Sequence, residues 1–276
     1  SAMDGYAVRS SDLKTSDRCH PVCLKVIDRV CAGEVTDKKV QEGEAIRIMT
    51  GAMIPEGADC VVKQEDTDYG EEDVKIYLSL DKHINCCPIG EDFHRGDCLG
   101  QKGERIDAYM MASMASGGID KVSVWRKIRA AIITTGEELM MPGQPLLPGK
   151  IYNSNLAYLT GRLMQLGCDI TEGCFVGDDT EAIVSAVRRS AAQADVILTT
   201  GVSVGVKDLI PQVIEKLGAD LLFHGIDLKP GMPTMASLYN GKTIISLSGN
   251  PFSASAVFEL LMQPLIRKMT GSSHPV

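Results

Sequence analysis

Between residues 199 and 208 the chain reads T-T-G-V-S-V-G-V-K-D, which contains G-x-S-x-G. Such a motif can present Ser203 as a hydrolase nucleophile on a sharp strand-to-helix turn, provided that an acid and a His follow on later strands. Downstream of Ser203 the histidines are His224, inside a strand-like run, and His274, near the chain end. No Gly-rich oxyanion segment stands upstream. The same residues suit another task. Gly201, Ser203 and Gly205 lie where an apolar strand gives way to a helix, and backbone N–H groups at such a junction favour an anion. Asp208, just inside that helix, could hold a magnesium ion against a phosphate or simply cap the helix. An anion cradle asks less of the sequence than a nucleophile.

Three other segments share this chemistry. I-I-T-T-G-E-E-L (132–139) ends a strand in Thr134, Thr135 and Gly136 and then offers two carboxylates, Glu138 among them. L-K-P-G-M-P (228–233) sets Lys229 beside a turn, Pro230-Gly231, that lets backbone approach a ligand closely. S-L-S-G-N-P-F-S-A (246–254) ends a strand in Ser248, Gly249, Asn250 and Pro251 and opens a helix. Each alone is ordinary turn chemistry. Four such strand ends gathered on one side of a parallel sheet predict a site for a phosphorylated ligand and a divalent cation, with Glu138 and Asp208 as the metal candidates. Two further motifs are discounted. A-S-L-Y-N-G-K-T (236–243) is a loosened Walker A, but it runs into a strand, and Asn240-Gly241 reads as a hairpin turn. H-I-N-C-C (83–87), taken with His94 and Cys98, fits no standard zinc spacing.

The elements that must position these residues fall into two textures. Residues 1–90 show short β-like runs, Val22–Val30, Ala45–Met49, Cys60–Gln64 and Val74–Leu80, broken by Gly, Pro and Asp. A polar, Gly-rich stretch and one helix, Asp107–Ser116 with Asp107 as its cap, make a linking region over 91–123. From 124 to 276 strands alternate with helices. Strands are expected at Ile128–Thr135, Val196–Thr200, Leu221–Leu228 and Thr243–Ser248. Helices are expected at Ser154–Leu166, Glu181–Ala192, Leu209–Leu217 and Ser253–Met269. That alternation predicts an α/β fold, a three-layer and mostly parallel sheet, behind an N-terminal β-rich domain and a small linking α/β region.

Bulk properties narrow the class. Hydrophobic residues make up 44% of the 276, enough for a large core, and the net charge of −8 argues against a nucleic-acid or membrane-surface binder. Nine scattered cysteines, an odd number, read as reduced thiols and point to the cytoplasm. No apolar run reaches the length of a membrane span, and no signal peptide is recognised. The opening S-A-M-D-G-Y-A-V has no initiator Met, so a piece of a longer chain is expected.

Taken in order, S-A-M-D-G-Y-A-V, I-M-T-G-A-M-I-P-E-G-A-D-C-V-V, G-E-D-F-H-R-G-D, T-T-G-E-E-L, T-T-G-V-S-V-G-V-K-D, L-K-P-G-M-P and S-L-S-G-N-P-F-S-A resemble motifs of the molybdopterin molybdenumtransferases, the MoeA family related to the gephyrin E domain. The resemblance runs along essentially the whole chain. It implies insertion of molybdate into adenylylated molybdopterin, with release of AMP and a magnesium requirement. It implies Asp4, Asp92, Glu138 and Asp208 as catalytic residues. Thr50, Thr135, Gly136, Gly201, Ser203, Gly205, Lys229, Pro230, Gly231 and Ser248–Pro251 are implied as substrate-binding. A homodimer whose cleft is completed across subunits, so that Asp4 acts on the neighbour, is implied as well, as is contact with other cofactor-biosynthesis proteins. The pattern departs from the family at Met232, where a Lys is usual, and at Ser248, where a Pro is usual. The chain also stops ahead of the small C-terminal β domain. A non-catalytic pterin-binding scaffold and a molybdopterin adenylyltransferase are the alternatives.

Overall fold

Gly5–Val8 (β1), Val22–Val30 (β2), Glu44–Ile48 (β3), Cys60–Lys63 (β4) and Asp73–Ile76 (β5) build a five-stranded sheet, in the order β4-β1-β3-β2-β5, within the first of two compact units, Ser1–Asp97. β2 and β3 run parallel and the other neighbours antiparallel. Sequence reading passed over β1 because G-Y-A-V is short and carries no alternation. The strand lies inside the sheet, between β4 and β3, with all four residues buried. Alternate side chains enter cores on opposite faces, Tyr6 and Val8 on one, Ala7 on the other. Gly5 is required by this packing, since a Cβ there would stand 1.8 Å from the Val62 carbonyl oxygen.

The computed structural model describes residues 1–202 and 208–272. In the second unit, Cys98–Val276, the elements follow in the order α1 (Ala108–Ser116), β6 (Arg129–Thr135), β7 (Leu139–Met140), β8 (Ile151–Tyr152), α2 (Ser154–Gln165), β9 (Asp169–Val176), α3 (Thr180–Ala191) and β10 (Val196–Val202). They continue through α4 (Ile210–Leu217), β11 (Asp220–His224), β12 (Met235–Tyr239), β13 (Lys242–Ser248), α5 (Pro251–Val257) and α6 (Gln263–Met269). The main sheet has the order β11-β12-β13-β10-β6-β9. β13, β10, β6 and β9 are parallel, and β11 and β12 add an antiparallel hairpin pair at one side. Leu159 and Leu163 of α2 pack with Ala254, Val257 and Phe258 against Ile132, Leu198 and Leu247. On the other face Ile183 and Val187 of α3 and Val213 and Ile214 of α4 pack against Ile133, Ile197 and Ile244. Helices on both faces of a mostly parallel sheet make the three-layer α/β fold expected from the alternating pattern.

Three expectations are corrected. β9 was not foreseen: D-I-T-E-G-C-F-V mixes charge and glycine because it is an outer strand with no fully buried residue. The strand expected over Leu221–Leu228 ends at His224, where Gly225 turns with φ +94°. The helix expected over Ser253–Met269 starts at Pro251 and contains a π turn, Phe258–Met262, just ahead of Pro264, whose ring has no N–H for a regular helical bond. Among the described residues no helix is long and apolar enough to cross a membrane.

Candidate functional site

β6, β10 and β13 are neighbours and parallel, so the turns that follow them emerge at one edge. The register sets Thr199 beside Ile133 and Val202 beside Ser248, which brings Thr135, Gly201 and Ser248 together. β12 runs the other way, with Met235 beside Ser246. Its entering loop, which carries Lys229, Pro230 and Gly231, therefore reaches the same edge. The sequence placed these segments at strand ends; the antiparallel reversal that aligns the Lys229 loop with them carries no local signal.

Glycines keep this edge open. Gly201 has φ +106°, and a Cβ on it would lie 2.2 Å from Thr135 Oγ1. That hydroxyl donates to the Thr200 carbonyl at 2.8 Å, so strand and turn are locked together. A Cβ on Gly249 would come within 3.8 Å of the Gly201 Cα, so the two glycines face each other with no side chain between them. Gly231, at φ +127°, packs directly on Val257 and Leu228, and Thr234 Oγ1 donates to its carbonyl at 2.7 Å. Lys229 and Pro230 are exposed, as is Met232. Ser248 Oγ accepts from Asn250 N at 3.3 Å, while Asn250 Oδ1 caps α5 by accepting from Phe252 N and Ser253 N. Ser248, where the resemblance leads one to expect Pro, thus supplies an internal bond to its own turn.

The carboxylates divide between the units. Both oxygens of Glu138 lie 2.7 Å from where a Cβ on Gly136 would stand, so the acid folds back over a buried glycine. The adjoining Glu137 N–H donates to Asp178 Oδ2 at 3.3 Å. Asp208 lies two residues ahead of α4 rather than inside it, and its Oδ1 accepts from Ile210 N at 3.0 Å, while Leu209 at the N-cap position makes no side-chain cap bond. Ser203 and Gly205 lie outside the described residues. On the first unit, Asp4 at the start of β1 meets Thr50 just past β3, whose N–H donates to Asp4 Oδ1 at 2.7 Å. That bond holds the exposed Asp4 carboxyl below the usual carboxylate range. Asp92 is exposed in the loop after Pro88.

Three polar residues at the sheet edge were not singled out as site residues. Asn153 caps α2 and donates through Nδ2 to Thr134 Oγ1 at 2.7 Å, and Asn155 donates to the Gly249 carbonyl at 2.8 Å. Asp178, which accepts from Glu137 N, stands in the run Asp178-Asp179-Thr180, whose local signal is that of a helix cap. Asn153, directly before a helical repeat, had a capping signal; Asn155, inside the first turn, had none. Among the described residues no three metal-ligating side chains gather. A magnesium ion fits this edge only as one held by one or two carboxylates and completed by ligand phosphate and water, its usual coordination.

Residues 131–268 match a family model described as a probable molybdopterin binding domain, and residues 1–118 one described as the MoeA N-terminal region, domains I and II. The chain is 39% identical over 280 residues to a molybdopterin molybdenumtransferase of Bacillus subtilis, covering 100% of this chain and 65% of that protein. A molybdopterin molybdenumtransferase of Staphylococcus epidermidis is 37% identical, with 99% and 65% covered. The chain therefore spans just under two thirds of the length of these curated relatives. A solved molybdopterin biosynthesis MoeA protein from Pyrococcus horikoshii superposes with a TM-score of 0.81 at 36% identity, covering 99% of this chain and 68% of that one.

Proposed function

The chain belongs to the MoeA family of molybdopterin biosynthesis proteins, and on that premise we propose that it inserts molybdate into adenylylated molybdopterin with release of AMP. The observation that carries the reading is the meeting of the β6, β10 and β13 turns with the Lys229 loop at one glycine-floored edge. A phosphoanhydride concentrates negative charge, and hydrolysis needs that charge neutralised and a water positioned. Lys229 serves as a compact point charge for phosphate or molybdate. The turn peptides and the Thr135 and Ser248 residues line the ligand. Glu138 and Asp208 are the acids that would hold magnesium, which when bound supplies further charge neutralisation. Asp4, held by the Thr50 N–H, and Asp92 complete the set of acids in this reading, and a homodimer is part of it. Light scattering of the purified chain tests the dimer.

The test of the activity is AMP release from adenylylated molybdopterin, supplied with molybdate and magnesium. Because Asp208 Oδ1 accepts from Ile210 N, Asp208→Asn is the variant of choice: an Asn Oδ1 accepts the same bond but brings no charge. Release should fall by about 100-fold or more while the melting temperature holds. Pterin binding with no release in the wild type would point instead to a scaffold. Consumption of ATP would point to an adenylyltransferase.

A further inference from the structure

Two buried oxygens beneath the glycine floor have no hydrogen-bond partner among the described residues, Oδ1 of Asn155 and Oγ1 of Thr200. Asn155 is 5% exposed and Thr200 1% exposed. Buried polar atoms are nearly always paired, and one left alone destabilises the fold. The neighbouring groups are satisfied: Thr134 Oγ1 bonds to the Cys174 carbonyl, Asn153 to Thr134, Thr135 to the Thr200 carbonyl, and the Asn155 amide N–H to the Gly249 carbonyl. The two unpaired oxygens are thus exceptions within a well-bonded polar layer.

Their position is specific. Val196 and Leu198 of β10 pack in the core beneath α2 and α5, and strand alternation sends Thr200 to the same layer. Asn155, in the first turn of α2, reaches the exposed Gly249 from that layer. Gly249 in turn faces Gly201, the residue after Thr200. Both unpaired oxygens therefore adjoin the two glycines, where no side chain intervenes.

We propose that Asn155 and Thr200 are specificity-determining residues for the heterocyclic part of the ligand, their unpaired oxygens taking its N–H donor edge when it settles on the Gly201–Gly249 floor. An amide oxygen accepts and a hydroxyl accepts or donates, which complements the amide and amine groups of a pterin. The Asn155 amide nitrogen fixes the Gly249 carbonyl at the same time, so floor and reader are one unit. The inference rests on the molybdopterin reading of this edge.

The test is a titration of the full chain and its Thr200→Val, Thr200→Ser and Asn155→Leu variants with adenylylated molybdopterin, with thermal melts of each in the absence of ligand. Thr200→Val should bind about tenfold more weakly, the loss of one hydrogen bond. It should melt no lower than the wild type, because it removes an unpaired buried hydroxyl. Thr200→Ser should restore wild-type affinity. AMP, which lacks the pterin, should bind the wild type and the two Thr200 variants alike. Variants that bind adenylylated molybdopterin as tightly as the wild type overturn the inference and leave the functional reading standing. So does a Thr200→Val whose weaker binding comes with a lowered melting temperature and is not restored by Ser. A wild-type chain that binds no adenylylated molybdopterin removes the functional reading, and this inference with it.

Discussion

At the residue scale the strongest constraint is Gly201. Its backbone stands at φ +106°, and a methyl group there would collide with the Thr135 hydroxyl. Gly201→Ala should lower stability by about 1–3 kcal/mol, read as a shift in denaturant midpoint, and should weaken ligand binding through the displaced turn. The thiols give a second prediction. Burial pushes Cys60 up to about 12 and Cys168 up to about 11, whereas Cys19, Cys23 and Cys98 are exposed. Alkylation of the native protein at mild alkaline pH, followed by peptide mass mapping, should label these three first and Cys60 and Cys168 last, with the equally exposed Cys87 behind the first three because a hydrogen bond with Glu91 raises its pKa. Much of the candidate edge was legible at this scale, since Thr135, Gly136, Ser248 and Gly249 announce themselves as small or hydroxyl residues at strand ends. The bond between Asp4 and Thr50 was not, because it joins residues 46 apart in sequence. Asn155 was illegible for a different reason: its role depends on which turn a helix happens to meet.

At the element scale, the edge of the main sheet opposite the turns that follow β6, β10 and β13 is held by one carboxylate. Asp195, just before β10, accepts from Arg126 at 2.6 and 2.9 Å, from the Arg129 backbone N–H at 2.9 Å and from its guanidinium at 3.3 Å, with Lys242 Nζ at 3.7 Å. The starts of β6, β10 and β13 are thereby joined. The Arg126 bonds, with those from Arg129, hold the Asp195 carboxyl far below its ordinary value although burial opposes them. A group depressed in this way stabilises fully above its unfolded pKa, about 4, and loses that contribution as pH falls below it. Asp195→Asn should therefore lower stability by about 2 kcal/mol at neutral pH, the loss of charged hydrogen bonds. The difference from wild type should shrink in melts taken at progressively lower pH from 4 downwards. Strands β2, β6, β10 and β13 were legible because β-branched and apolar runs of the right length end at turn residues. β9 and β12 were harder: one is an outer strand without a buried stripe, and the other showed only through its hairpin partner.

At the scale of the whole molecule, the two units have separate cores. The buried clusters around Tyr6 and Ile46 draw only on residues before 98, and those around Phe258 and Ile133 only on residues after it. Calorimetric unfolding should depart from a single two-state transition, with a van't Hoff enthalpy below the calorimetric one. One strong peak with equal enthalpies would contradict independent cores. The candidate acids are split accordingly, Asp4 and Asp92 in one unit, Glu138 and Asp208 in the other. The turn at Asn240-Gly241 bears on how such a protein could be studied. It joins β12 to β13 with both central residues at positive φ, exposed, at the far end of the strand that carries Ser248. Seven residues of β13 put that tip roughly 20 Å from the Ser248 turn. A fluorophore or immobilisation handle attached there would report on the protein in a working assay while leaving the proposed ligand edge clear.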